Sequence, residues 1–415
     1  FNQILFINDS TGIIDLVLNP KDPNIIYASS WNRIRNNQKS LVSGPDGKIH
    51  KSTDGGSSWT ELTNGLPSGN ISRIGIDIVP SQPDTLFSVY IGEDQAIKGV
   101  YATYDAGIQW HDITTNIDSN IVRNFGWYFG KIRVNPYNPN DIYVLGVDLY
   151  RTTNGGNSWN MCTPHWYQYD VHADKHDLIF FGADEMLLAT DGGLYSTIDN
   201  TNNWTDPENM PITQFYHVTY NPHSINDYWG GAQDNGTMSG DLFNFNNWQR
   251  EFGGDGFKTV FHPEDENIVY VETQRGYVRE LYTYTDITEN QNGINHNTER
   301  INWFMPYILS HHNYDRMYLG THRIFKNTTG VNAYWTPISP DLTDGDIYGA
   351  KFHNISNVAE SPLDENILYA GTSDGNVWVS TDQGQNWNNI SSGLPKRYVT
   401  GIHPSQNDTL RAYLC

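Results

Sequence analysis

His172, Asp174 and His176 stand at alternate positions in VHADKHDL, residues 171 to 178, the spacing at which a β-strand turns three side chains to one face. Two imidazoles and a carboxylate in that pattern suit a metal shell with an open fourth position, an acid-base group, or a polar network tying a strand to its neighbours. Calcium, which wants six or more oxygens, is a poor fit to the imidazoles. Further along the chain lie Asp191 in TDGG, Gln233, Asp234 and Asn235 in QDNG, Asp374 in SDGN and Asp255 in GGDGF. Asp before Gly or Asn is turn chemistry, because the carboxylate caps backbone N–H groups and tolerates unusual backbone angles. The glycines around Asp255 point to close backbone approach, by a ligand or by a neighbouring segment. Phe125, Trp127 and Tyr128 in FGWYFG offer ring faces to the C–H surface of a sugar or to packing between sheets. Glycoside hydrolysis needs two carboxylates across a cleft, one protonated and one ionised. Asp174, Asp234 and Asp255 are the candidates for that pair.

A repeated element must position these groups. The strings STDGGSSW (52 to 59), TYDAGIQW (103 to 110), TTNGGNSW (152 to 159) and STDQGQNW (380 to 387) share the template Ser/Thr-x-Asp-x-Gly-x-x-Trp, and TIDNTNNW (197 to 204) keeps its Asp and Trp with Thr201 where Gly is expected. KNTTGVNAYW (326 to 335) is a looser relative. Strings such as VLNPKDPNIIYAS and RVNPYNPNDIYVLG precede the boxes and read as strand, Pro-containing turn, strand. One unit is therefore a meander of strands A to D in which the box is the C–D turn: its Asp staples the hairpin, its Gly supplies positive φ, and its Trp packs between sheets. Four-stranded units that cannot bury their faces alone stack radially, so the expected class is an all-β propeller of about eight blade equivalents, the last cut short. That number fits one large propeller or a smaller one with part of another. Trp59, Trp110, Trp159, Trp204 and Trp387 are expected to be buried. The boxes share a face with the A–B turns, and Asp191, Asp234, Asp374, Asp255 and FGWYFG fall on the opposite rim of B–C turns and D–A connections. There His172, Asp174, His176, Asp191, Gln233, Asp234 and Asp255 are expected on one surface, with Asp234 and Asp255 as exposed turn carboxylates.

Composition agrees with many short strands: of 415 residues, 13% are aromatic and 37 are Gly, while only 17% are charged. The net charge of −22 repels phosphate backbones and anionic headgroups, which excludes nucleic acid and insertion of this segment into a membrane, and leaves neutral polymers or cations as better partners. Cys162 and Cys415 are the only cysteines, too few for a disulfide framework. No cofactor is expected.

The order FGWYFGKIRVNP, VHADKHDL, TDGGLYST, ITQFYHV, GGAQDNGT and GGDGF resembles the Asp-box (BNR) repeat proteins, and within them the bacterial sortilin-like propellers described as glycosyl hydrolases. The resemblance implies a secreted or cell-surface propeller, often part of a longer surface protein, with 1–415 as one propeller region. It implies a recognition or scaffolding module for a glycan, a peptide or another envelope protein, with glycoside hydrolysis as the alternative. The ligand contacts it leaves open are Trp127, Tyr128, His172, Asp174, His176, Asp191, Gln233, Asp234, Asn235 and Asp255. No established acid and base carries over to these positions, and the Arg cluster of a sialidase is missing.

Overall fold

A computed structural model of the chain describes residues 2–36, 39–207, 210, 212–244, 247–346 and 353–415. Among these there is no α-helix, only three short 3-10 turns between strands, and no helix long and apolar enough to cross a membrane. The chain divides into two compact units, Phe1–Met210 and Pro211–Cys415. Both are built from propeller blades, antiparallel meanders in which consecutive strands are neighbours.

Besides a two-stranded hairpin, Ile34–Arg35 with Ser40–Leu41, the described residues of the first unit hold four blade sheets. Their strands are Thr11–Leu18, Ile26–Asn32, Ile49–Ser52 and Thr60–Leu62; Ile71–Ile78, Leu86–Gly92, Ile97–Thr103 and His111–Asp112; Lys131–Val134, Ile142–Leu145, Leu149–Thr152 and Asn160–Met161; and Lys175–Phe180, Met186–Thr190 and Gly193–Thr197. In the fourth sheet a single bridge, Ser196 to Thr205, stands in for the last strand. The second unit holds the fifth to eighth sheets: Phe215–Tyr220, Asp227–Ala232, Gly236–Asp241 and Gln249–Phe252; Thr259–Phe261, Val269–Thr273, Tyr277–Glu280 and Thr285–Asp286; Tyr307–Leu309, Met317–Gly320, Ile324–Asn327 and Thr336–Pro337; and Ile355–Glu360, Leu368–Thr372, Val377–Ser380 and Asn388–Asn389. A two-stranded hairpin, Ile402–Pro404 with Ala412–Leu414, follows.

Each box closes its hairpin as its residue types require. Asp54 accepts the Ser58 N–H at 2.8 Å and the Ser52 hydroxyl at 2.8 Å, while the Gly56 N–H donates to Ser52 Oγ at 2.9 Å. The Ser58 hydroxyl, which also donates to Asp54, the Ser58 N–H and the Ser52 hydroxyl hold the exposed Asp54 carboxyl down to about 2. The backbone bond recurs at Asp105, Asn154, Asp199 and Asp382. Box and A–B turn do share a face: the Gly55, Ala106, Gly155, Asn200 and Gln383 N–H groups donate to Asn24, Asp84, Asn140, Asp184 and Asn366 in the A–B turns of their own sheets. Where Gly56 has φ +91° and Gly384 +91°, Thr201 is held at +72°, a region costly for a β-branched residue. Thr201→Gly should therefore raise stability by about 1 kcal/mol in chemical denaturation; a loss would show that the Thr201 side chain compensates for the strain.

The box tryptophans join successive sheets. The indole N–H groups of Trp159, Trp204, Trp335 and Trp387 donate to the carbonyls of Ile113, Cys162, Ile287 and Ile338, each the residue just past the last strand of the preceding sheet. Burial is uneven. Trp110, Trp159 and Trp335 are at most 3% exposed, whereas Trp59, Trp204 and Trp387 are half-buried, so the expectation of uniform burial is corrected. The loosest box, at Trp335, carries one of the best-buried indoles. Apolar and aromatic residues fill between the sheets: Val89, Val100, Ile132 and Val144 in the first unit, and Tyr270, Met305, Tyr307 and Leu319 in the second. First strands are also stitched directly. Asp15 accepts the Ile76 N–H at 3.1 Å, Asp77 the Val134 N–H at 2.8 Å, and Arg133 Nε donates to Asp177 at 2.8 Å.

Candidate functional site

In the first unit the strand that follows VHAD begins only at Lys175, and Asp174 has φ +67°. The alternate spacing of His172, Asp174 and His176 therefore does not put them on one strand face. Lys175 pairs with Thr190 and Asp177 with Ala189, leaving His176 as the extra residue of a β-bulge, a device that re-aims one side chain out of the pleat. First-strand pairing also shifts at Ile14, at Ser72 and Arg73, at Tyr216 and at Ser356, so this is a feature of the repeat.

The bulge turns His176 toward Asp191 in the B–C turn of its own blade, with Nε2 2.5 Å from the Asp191 carboxylate. The same imidazole lies edge-on to Tyr128, centroids 5.3 Å apart, and tilted against Phe129 at 5.7 Å. Tyr128 belongs to the connection entering the third sheet, where the Arg73 guanidinium holds its carbonyl, and its side chain stays 45% exposed beside Phe125 at 53%. Trp127 is half-buried, with the Arg33 guanidinium over its ring at 5.3 Å. Asp174 lies close by, an oxygen within 4.8 Å of one on Asp191. Burial and then the Asp191 charge push the Asp174 carboxyl above its usual range.

His172 and Lys175 support this arrangement. A Cβ on Gly192 would lie 2.3 Å from His172 Cγ, so the first glycine of TDGG is required for the imidazole to pack on the turn. His172 Nδ1 lies 3.0 Å from the Ala173 carbonyl. The Lys175 ammonium, 1% exposed, donates to the His172 carbonyl at 2.6 Å, and burial pulls its pKa down to about 8. With His176 on Asp191 and His172 on the backbone, and with an ammonium on the same loop, the two imidazoles serve separate partners, a poor start for a dication shell built from both.

In the second unit Gln233, Asp234, Asn235 and Asp255 come together around one turn. Asp234 has φ +62°, and its N–H donates to Asp255 Oδ1 at 2.9 Å. The Asn235 N–H and side chain both reach the Gln233 carbonyl, at 2.7 and 3.0 Å. Asp255 is 4% exposed, which corrects the expectation of an exposed turn carboxylate: it caps QDNG from inside. The glycines have the same explanation, since a Cβ on Gly256 would meet the Gly236 carbonyl at 2.1 Å and one on Gly231 the Phe257 carbonyl at 2.0 Å. The close approach is between the two loops. Asp255→Ala should cost about 1.5–3 kcal/mol in urea unfolding, as for a hydrogen bond to a charged group; an unchanged midpoint would show that the turn holds without its cap. Beside this turn the bulge residue Tyr216 stacks on Phe257 at 5.0 Å and 3° and donates to Gln233 Oε1 at 2.5 Å, and Trp303, 44% exposed, meets Phe257 edge-on at 6.0 Å. Tyr216 and Trp303 were not singled out from the sequence.

No protein-family profile matches the chain, and no curated protein does. Among solved structures it is similar to a GH74 enzyme of Niastella koreensis, at 15% identity over 94% of this chain and 66% of the other, TM-score 0.35. It is also similar to the GH74 xyloglucanase of Xanthomonas campestris, at 12% identity over 92% and 53%, TM-score 0.36, and to YCF48 bound to D1 peptide, at 11% identity over 98% and 89%, TM-score 0.33. The chain spans just under two thirds of the first of these and about half of the second.

Proposed function

We propose that this chain is a secreted or cell-surface recognition module of the Asp-box type, and that it binds a neutral glycan at the rim of its first unit. The observation that carries this reading is the meeting of Tyr128, His176 and Asp191. An open aromatic face beside a fixed imidazole and carboxylates is what a pyranose needs, stacking on its C–H surface and hydrogen bonding to its hydroxyls. A neutral polymer also suits the net charge of −22. Affinity electrophoresis through soluble neutral polysaccharides tests it: retardation by at least one is expected, and free migration in all of them would overturn the reading.

One observation favours glycoside hydrolysis as a second reading. The Asp174 carboxyl is pushed up by burial and by Asp191, as a general acid requires. Its partner Asp191 is already engaged by His176, which favours a hydrogen-bonding site over an acid-nucleophile pair. Shortening of a retarding polysaccharide by the wild type, abolished in Asp174→Asn, would establish hydrolysis; intact polymer with both proteins is expected.

A further inference from the structure

In the second unit the first strands of all four sheets and of the terminal hairpin line a cavity of about 1050 Å³. Its wall carries one lysine and one glutamate, whereas the chain as a whole has 47 acidic residues against 25 basic ones. Among the described residues the wall carries one carboxylate, Glu360, 1% exposed. Its two oxygens are taken by the Ser310 hydroxyl at 3.0 Å and the His311 N–H at 2.7 Å, with Arg316 at 4.0 Å.

The same wall carries Lys258, His217, His311 and His403. Lys258 Nζ donates to the Tyr307 carbonyl at 3.1 Å, and among the described residues no carboxylate lies within ion-pairing distance of it. The acid that does act on it is Glu272, fully buried, with one oxygen accepting the Met305 N–H at 2.7 Å and the other without a partner. Burial pushes the Glu272 carboxyl well up. His217 is fixed at Nδ1 by the Thr219 hydroxyl, 3.2 Å away. Burial, ahead of the opposing Glu272 charge, pulls the Lys258 pKa down, so an anion at this wall would restore the ammonium charge and accept a charge-assisted bond from it. Tyr220, Phe304, Tyr314 and Tyr398 line the same space, and Tyr220 and Tyr398 are 59% and 50% exposed.

We infer that this cavity is a second ligand site, one that takes an anionic pyranose bearing a carboxylate or sulfate, with Lys258 as its cation and the aromatic rings as its walls. The choice of a sugar rests on the glycan reading above; the choice of an anion rests on the cavity alone. The test is calorimetric titration of the full chain with three galactan oligomers of equal length: neutral, oxidised to galacturonate, and sulfated. At least one of the two acidic oligomers should bind tenfold or more tightly than the neutral one, and which of them binds identifies the anion. Lys258→Met should remove that preference without changing the neutral affinity. His217→Gln, which leaves Lys258 in place, should keep the preference and supplies a folded comparison should Lys258→Met be unstable. Equal affinity for all three oligomers, an unchanged preference in Lys258→Met, or tighter binding of hexaglutamate than of either acidic sugar would overturn the inference. Tyr128→Ala separates the two proposals: loss of neutral binding there, with the acidic preference intact, bears only on the site of the first unit.

Discussion

Trp335→Ala should be the most destabilising single substitution among the box tryptophans, at about 3–5 kcal/mol, the range for truncating a buried indole. Trp335 is 2% exposed and packs with Ile287, Ile294, Met305 and Tyr307. Its N–H donates to the Ile287 carbonyl at 2.6 Å. The substitution thus opens a cavity between the sixth and seventh sheets and leaves a carbonyl without its donor. Trp59→Ala, at a half-buried indole, should cost only about 1–2 kcal/mol. Urea midpoints at constant m-value give both numbers. Equal losses would mean that the box consensus, and not burial, sets the contribution of each indole.

The second large effect is on binding. Tyr128→Ala should weaken glycan affinity by roughly thirtyfold, about 2 kcal/mol, the loss expected when an aromatic anchor is removed from a ligand site. The melting temperature should barely move, because the ring is 45% exposed and its backbone anchor to Arg73 does not involve the side chain. His176→Ala should weaken binding as well, by releasing the edge that orients Tyr128. Full affinity in Tyr128→Ala would place the glycan elsewhere.

The blades were legible in the sequence because the box is a local object. Ser52, Asp54, Gly56 and Trp59 lie within eight residues, and each has one physical task, so the turn, its face and the strand order follow from spacing. The looser box around Trp335 was underrated for the same reason: its indole is placed by packing from the preceding sheet, which the box letters do not encode. The rim was legible in composition but not in geometry. That Tyr128, His176 and Asp191 meet depends on the bulge at His176, and no residue in KHDLIF marks the skipped pairing. Period-2 reading put His172, Asp174 and His176 together; the left-handed Asp174 and the bulge send them to different partners. Asp255 shows the converse. GGDGF does signal close approach, yet only the fold shows that the approaching atoms belong to Gly236 and not to a ligand. Lys258 carries no signal at all in FKTV, since a lone lysine beside a strand becomes notable only when the wall around it lacks acids.

The central claim is that the first-unit rim binds a glycan without cleaving it. The most direct measurement is a calorimetric titration of wild-type protein with an oligosaccharide cut from a retarding polysaccharide, followed by chromatography of the recovered sugar. Saturable binding that is lost in Tyr128→Ala is expected, with the oligosaccharide recovered at full length. Shortened product, or binding undiminished in Tyr128→Ala, would contradict that claim.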